Sequence, residues 1–291
     1  MGLGSKYRFC REGEWSLWIL PDRWSQGLWE EVLHQVNKQQ APAHRPQTKR
    51  FHYPPGGNGG EFYLKIYHRS PFPGTLKDLF RDSKAFRALK QGDALSERGF
   101  HVPLTVAAGE ERKFRLLKRA FLLTLGIEGV PLYLFIRDHF SPPLDLGALR
   151  KKREYLEQLA LETRRLHRYG FVHGDLVPSN ILVRADEGRI TFFYIDNDRT
   201  KRYPVKSPDF LWKRNLVQLN RFTLTGISLQ DRMRFLRFYL GQKSWGEREL
   251  RWIRWLEEKT RKRRQEYDRI EAQVSFRELM RWNGPFTRNI Q

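Results

Sequence analysis

The sequence predicts an α+β chain in two lobes, strand-rich on its N-terminal side and helical on its C-terminal side. Three observations predict it. Up to about residue 126, short runs of aromatic and β-branched residues alternate with glycine and proline, the pattern of strands and tight turns. After about residue 140, apolar residues recur at three- and four-residue spacing through charged stretches, the pattern of amphipathic helices. The 291 residues suffice for two lobes with a core each. The switch lies near Gly126, which divides the chain into residues 1–126 and 127–291.

In chain order, KRFHYPP and EFYLKIYH flank the glycine-rich residues 56–60; this reads as a hairpin. SKAFRALKQGDALSERG carries Phe86, Leu89 and Leu95 at helical spacing, with Gly99 as its stop. FRLLKRAFLLTLGIEG reads as one or two further strands. Residues 120–136 are apolar but short for a membrane span, and Gly126, Glu128, Gly129 and Pro131 break them. They read as a buried strand, a turn and a short element. A helix follows, capped by Asp145 and running through Arg168, with Leu149, Leu156, Leu159, Thr163 and Leu166 near one face and Gly170 at its end. RNLVQLNRF and QDRMRFLRFYLG read as two more helices, and the segment from Trp245 onward as a long basic one.

The composition narrows the function. With 54 Lys and Arg against 33 Asp and Glu, the net charge is +21, which favours an anionic partner. Cys10 is the only cysteine, so no internal disulfide forms and a reducing compartment is expected. The N-terminus lacks an apolar signal core, and Lys6 stands where a myristoylation signal needs Ser or Thr. A cytoplasmic protein is expected, touching a membrane surface at most.

FVHGDLVPSNILV, residues 171–183, is where the chemistry gathers. It follows the helix that ends at Gly170, and it leads into a hairpin: Ile181, Leu182 and Val183, a turn at Asp186 to Gly188, then Ile190 to Ile195. Folding that hairpin returns Asp196 to Asn180, with Asp175 just before. Two carboxylates and an amide then converge. Such a set suits phosphoryl transfer, in which one Asp accepts the hydroxyl proton while an Asn five residues later and a second Asp hold Mg²⁺. A lone HxD means little; HxD with Asn180, a hairpin and Asp196 is far more specific.

These residues, His173-Gly174-Asp175, Asn180 and YIDND at 194–198, resemble the active site of the protein-kinase-like superfamily. The HGD form is similar to its small-molecule branch. Together with RNLVQLNRF and DRMRFLRFYL, the run resembles the lipopolysaccharide core kinases of Gram-negative bacteria, the Kdo/WaaP family, most specifically over residues 156–240. The resemblance implies a two-lobed kinase-like fold and an ATP- and Mg²⁺-dependent transfer to a Kdo or heptose residue of the inner core. It implies Asp175 and His173 as catalytic residues, Asn180 and Asp196 at metal and nucleotide, and Lys65 of EFYLKIYH at the nucleotide phosphates, with residues 125–129 as the adenine hinge.

Some features depart from that pattern. The glycines at 56–60 match no phosphate-loop motif, and the nucleotide-covering loop is expected between GEWSLWILPDRW and TKRFHYPP. As acidic partner of Lys65 the helix after it offers only Asp93 and Glu97, neither at the superfamily's usual place; Asp93 is a candidate but is expected as a surface charge. Gly174 replaces the Arg that reads a phosphorylated activation loop, and no Ala-Pro-Glu follows Asp196, so that switch is not expected. Arg199, Lys201, Arg202 and Lys206 are candidates for an anionic acceptor. Leu250, Trp252, Ile253, Trp255 and Leu256 form a stripe that can lie on an anionic membrane or pack on the domain; packing is favoured, with the basic residues 259–264 left outward to attract such a surface, for peripheral association at the cytoplasmic face of the inner membrane. The expected partners are the lipid A–core saccharide and that surface, with no nucleic acid. Alternative readings are a kinase for another small molecule or for protein, and a non-catalytic kinase-like nucleic-acid-binding protein.

Overall fold

The computed structural model describes residues 6–38, 46–55, 59–68, 81–186, 188–204, 209–224, 226–241 and 245–273, with side chains of the last helix described to residue 266. The chain forms two compact units. The first comprises Met1–Phe135, Arg165–Asp175 and Ser179–Lys206; the second comprises Ile136–Arg164, Leu176–Pro178 and Ser207–Gln291.

The first unit is built on a six-stranded antiparallel sheet. Its strands are β1 (Arg8–Glu12), β2 (Trp15–Ile19), β3 (Gln47–Tyr53), β4 (Gly60–His68), β5 (Thr105–Lys113) and β6 (Leu116–Leu125), in the order β1-β2-β5-β6-β4-β3. The expected hairpin is present as β3 paired with β4, from Gln47 opposite Ile66 to Tyr53 opposite Gly60. Residues 56–58 of its glycine turn lie outside the described residues.

Strand alternation sends successive side chains to opposite faces, and both faces are covered. Phe62, Leu64 and Ile66 of β4 join Trp15, Leu17 and Ile19 of β2 and Phe121 and Leu123 of β6 on one face. There they meet helix α1 (Gln26–Asn37), which buries Leu28, Trp29, Val32 and Val36. Trp15 and Trp29 pack edge to face, centroids 5.8 Å apart. Tyr67, Ala108 and Ala120 point to the other face and meet Phe86 and Leu89 of α2 (Lys84–Ser96). Each fully buried aliphatic side chain contributes about 1.5–3 kcal/mol, so the two helices fix which face of β4 each residue occupies.

Helix α1 corrects an expectation. It fills much of the stretch expected to hold the nucleotide-covering loop. Its start is marked locally: the Ser25 hydroxyl accepts from Leu28 N at 3.2 Å. Residues 39–45 lie outside the described residues. Asp93 is a second correction: it is 6% exposed, not a surface charge, and its carboxylate is ion-paired to Lys6.

The first unit also holds β7 (Val130–Pro131), β8 (Phe171–Val172), β9 (Ile181–Asp186), β10 (Arg189–Tyr194) and β11 (Lys201–Arg202). β9 pairs with β10 and β7, and β8 with β11. Helix α3 (Leu132–Phe140) is the short element expected after the broken apolar run.

The second unit is helical: most of α4 (Leu146–Arg168), then α5 (Asp209–Leu219), α6 (Leu229–Leu240) and α7 (Glu247–Gln273). Asp145 caps α4 as expected, its carboxylate accepting from Ala148 N at 2.7 Å. Ser228 and Asp231 form a capping box on α6, and Gly241 ends it with φ +69°. Asp231 also holds Lys152 at 2.7 Å, both side chains under a tenth exposed, and Lys152 donates to the Gly226 carbonyl at 2.9 Å. Removing one partner of such a pair strands a buried charge and costs about 3–5 kcal/mol.

Trp252, Trp255 and Leu256 of α7 pack against Ala160, Leu216, Val217 and Tyr239, so this part of the stripe covers the unit's own core while Leu250 stays exposed. Within the basic run, Arg264 turns inward and donates to the carbonyls of Asn220 at 2.9 Å and of Arg221 and Phe222 at 3.3 Å. It satisfies carbonyls of the turn that follows α5. Arg261, Lys262 and Arg263 remain exposed. Among the described residues no helix is long and apolar enough to cross a membrane.

Candidate active site

The site begins with alternation along β4. Lys65 and Tyr67 stand two residues apart on the α2 side, and the Lys65 ammonium lies 5.4 Å from the centre of the Tyr67 ring. Lys65 is ion-paired to the Asp196 carboxylate across 131 positions of sequence. Its side chain is 19% exposed and that of Asp196 37%, so the pair sits at an opening rather than in the core.

The loop carrying Asp175 is held by backbone contacts. Gly170 ends α4 with φ +85°. His173 is 1% exposed. Its Nδ1 accepts from Asp175 N at 3.2 Å, and its Nε2 donates to the Ile195 carbonyl at 3.0 Å. Burial pushes the imidazole pKa down, against the pull of the Ile195 carbonyl and the nearby carboxylates. A neutral ring with a proton on Nε2 meets both contacts. The ring thus ties the loop to the end of β10.

Asn180 closes the loop. Its Nδ2 donates to the Asp175 carbonyl at 2.9 Å, and its own backbone carbonyl accepts from Ile195 N at 3.0 Å. The hairpin register, Ile181 opposite Tyr194, produces this juxtaposition, as the spacing predicted. Gly174 has a packing reason: a Cβ there would overlap the Arg199 side chain and lie 2.5 Å from its carbonyl oxygen.

Asp196 itself is in the left-handed region, φ 63° and ψ 49°, which costs a non-glycine residue about 1–3 kcal/mol. The turn it enters, a single 3₁₀ turn at Asn197–Arg199, places Asp198 beside it. Each carboxyl acts on the charge of the other. Burial opposes the charge on Asp196, but Lys65 outweighs it and holds that carboxyl below the usual range. Burial and the Asp196 charge push Asp198 up.

The sequence-derived residues are placed as follows. Lys65, His173, Asp175, Asn180 and Asp196 belong to one cluster in the first unit, and Arg199 adjoins it through Gly174. Lys201 and Arg202 are exposed on β11. Arg202 is drawn toward β8, donating to the Tyr169 carbonyl at 3.3 Å and lying 5.6 Å over the Phe171 ring. Lys206 lies outside the described residues. In the expected hinge, Gly126 N donates to the Glu61 carbonyl at 2.7 Å. Sequence reasoning missed Tyr67 and Asp198; the period-2 partner of Lys65 and the doubled Asp in IDND were their signals.

Among the described residues no three His, Cys, Asp or Glu side chains form a metal-binding group. The donor set nonetheless fits Mg²⁺ with a nucleotide: this ion takes one or two carboxylates and completes its shell with phosphate oxygens and water. Asp196 supplies a carboxylate. Asn180, with its Nδ2 engaged, keeps Oδ1 as an acceptor.

The sequence model of the lipopolysaccharide kinase (Kdo/WaaP) family matches residues 35–239, a span from α1 to the end of α6. The chain belongs to this family. It is 27% identical over 195 residues to the 3-deoxy-D-manno-octulosonic acid kinase of Mannheimia succiniciproducens, across 63% of this chain and 72% of that kinase. It is 28% identical over 192 residues to the protein kinase PINOID of Oryza sativa, across 61% of this chain but only 37% of that protein. A solved structure of WaaP in complex with acyl carrier protein superposes with a TM-score of 0.59 at 22% identity, covering 88% of this chain and 99% of WaaP. The fold is therefore protein-kinase-like, and this Kdo/WaaP-family chain is a kinase acting on an alcohol group.

Proposed function

We propose that this kinase transfers the γ-phosphoryl group of ATP to a hydroxyl of a Kdo or heptose residue in the lipopolysaccharide inner core. The observation that carries the reading is the Lys65–Asp196 pair lying beside a loop in which Asn180 and His173 hold Asp175 at both ends of its backbone. In this reading Lys65 binds the nucleotide phosphates. Asp175 orients the acceptor hydroxyl and takes its proton. Asn180 and Asp196 hold Mg²⁺, which when bound neutralises charge on the β- and γ-phosphates. His173 acts as a positioning residue, because both ring nitrogens are spent on backbone groups. The nucleotide-binding part is assigned to residues 1–126 and the catalytic part to 127–291.

Arg199, with Lys201 and Arg202, is assigned to the anionic acceptor, and the exposed charges of α7 to peripheral attraction at the cytoplasmic face of the inner membrane. The protein partner of the WaaP complex carries over as a proposal of the same kind, tested by co-purification. The main test is mass spectrometry of lipopolysaccharide core from cells with and without this chain. One added phosphate per core supports the reading. An unchanged core, with phosphate found instead on protein, moves the acceptor to the alternative class.

A further inference from the structure

Within the phosphoryl-transfer reading, two demands fall on one carboxylate. Asp196 is paired to Lys65, yet it is also the carboxylate assigned to Mg²⁺. Lys65 therefore needs a second partner once Asp196 is engaged. Helix α2 does not supply one. Its one carboxylate, Asp93, is ion-paired to Lys6. Its half-buried positions are Lys84, Arg87, Lys90, Gln91 and Ala94, none of them a carboxylate.

We propose that Asp198 is that partner: a positioning residue that holds the Lys65 ammonium in place when nucleotide and metal occupy Asp196. Asp198 is 7% exposed, on the turn that follows Asp196, and the charges of Asp196 and Lys65 both act on it. Burial and the Asp196 charge oppose a carboxylate there, and the charges of Lys65, Arg199 and Lys84 favour it. The Tyr67 ring, two residues on along the same strand, lies 5.4 Å from the ammonium. The Tyr67 hydroxyl and the Arg87 Nε are both buried without a hydrogen-bond partner among the described residues. Such groups are costly to leave unpaired, so this cluster has hydrogen-bonding capacity that the pairing seen here does not use.

The test is calorimetric titration with ADP, in chelator and again in Mg²⁺, on the parent, Lys65→Ala, Asp198→Asn, Asp198→Glu and the Lys65→Ala/Asp198→Asn double variant. Thermal unfolding of each variant is recorded alongside. The inference expects Asp198→Asn and Lys65→Ala each to weaken ADP binding in Mg²⁺ by about tenfold, and the double variant to be no weaker than either single one; in chelator, where Asp196 still holds Lys65, Asp198→Asn should bind ADP like the parent. Asp198→Glu, which keeps the charge, should stay within about threefold of the parent by the same coupling argument; this arm decides the matter if the Asn variant does not fold. Additive losses overturn the inference. So does an Asp198→Asn protein that binds ADP in Mg²⁺ like the parent, since Lys65 then needs no second partner. Both outcomes leave the kinase reading standing. A parent that binds no ADP in either condition overturns the nucleotide reading and this inference together.

Discussion

Two concentrations of charge in this chain behave in opposite ways. Around Lys65, Asp196 and Asp198 the charges are few, partly buried and paired with groups more than a hundred positions away. Along residues 259–264 they are many and close in sequence, and most are exposed. A buried charge must be matched, so its neighbours report a task. An exposed one is screened and reports little on its own. Arg264 qualifies the contrast: it looks like one more surface cation in the sequence, but it binds three carbonyls of the turn that follows α5.

The largest expected effect lies in the paired cluster. Asp175→Asn should lower kcat by about 10²- to 10⁴-fold, the usual contribution of a general base, and leave nucleotide affinity nearly unchanged. Steady-state kinetics with ADP titration check this. Parental turnover would separate the acidic cluster from the chemistry.

Lys152→Ala tests the same principle where no chemistry is involved. Taking Lys152 from buried Asp231, which keeps only Ser228 and the more exposed Arg234, should cost about 3 kcal/mol of stability, read by denaturant unfolding. Burial opposes ionisation of Asp231, yet Lys152 and Ser228 hold its carboxyl below the ordinary value. Its contribution is therefore present above the unfolded aspartate pKa of about 3.9 and is lost as pH falls through the lower folded value. Stability of the parent should drop on acidification below about pH 4, and Lys152→Ala should flatten that drop.

Smaller effects separate the basic residues from one another. Arg264→Ala should destabilise by about 1.5–3 kcal/mol, the range for hydrogen bonds to a charged group. Arg261→Ala and Lys262→Ala should change stability by less than about 0.5 kcal/mol and weaken binding to anionic vesicles by about 1 kcal/mol per charge, read by flotation. Neutralising Arg199, Lys201 and Arg202 together should raise KM for the lipid acceptor at constant nucleotide affinity. If all these variants share one defect, the contrast between structural and solvated cations fails.

Much of the site was legible in sequence because its constraints are local. Asp175 and Asn180 sit in one loop, and the β9–β10 hairpin brings Asp196 back by period-2 pairing alone. The capping of α4 by Asp145 was legible for the same reason. Helix α1 was not: its Trp29, Val32 and Val36 follow strand-like aromatic residues, and the Ser25 cap is one hydroxyl among several. Asp93 was misplaced because its partner, Lys6, lies far off in the chain. Gly174 read as a missing arginine, yet the Arg199 backbone leaves no room for any side chain. Asp198 was passed over because only the fold sets it beside Asp196. Long-range pairing is the information a single sequence carries least visibly.

The central claim is that the Lys65–Asp196 cluster and the Asp175 loop form a phosphoryl-transfer site for a lipopolysaccharide sugar. The most direct measurement is transfer of labelled γ-phosphate from ATP to purified lipid A–core acceptor by the parent and by Asp175→Asn. The account predicts label on the core saccharide with the parent and at least about 100-fold less with the variant. Equal labelling by the two proteins, or none by the parent in the presence of Mg²⁺, would contradict it.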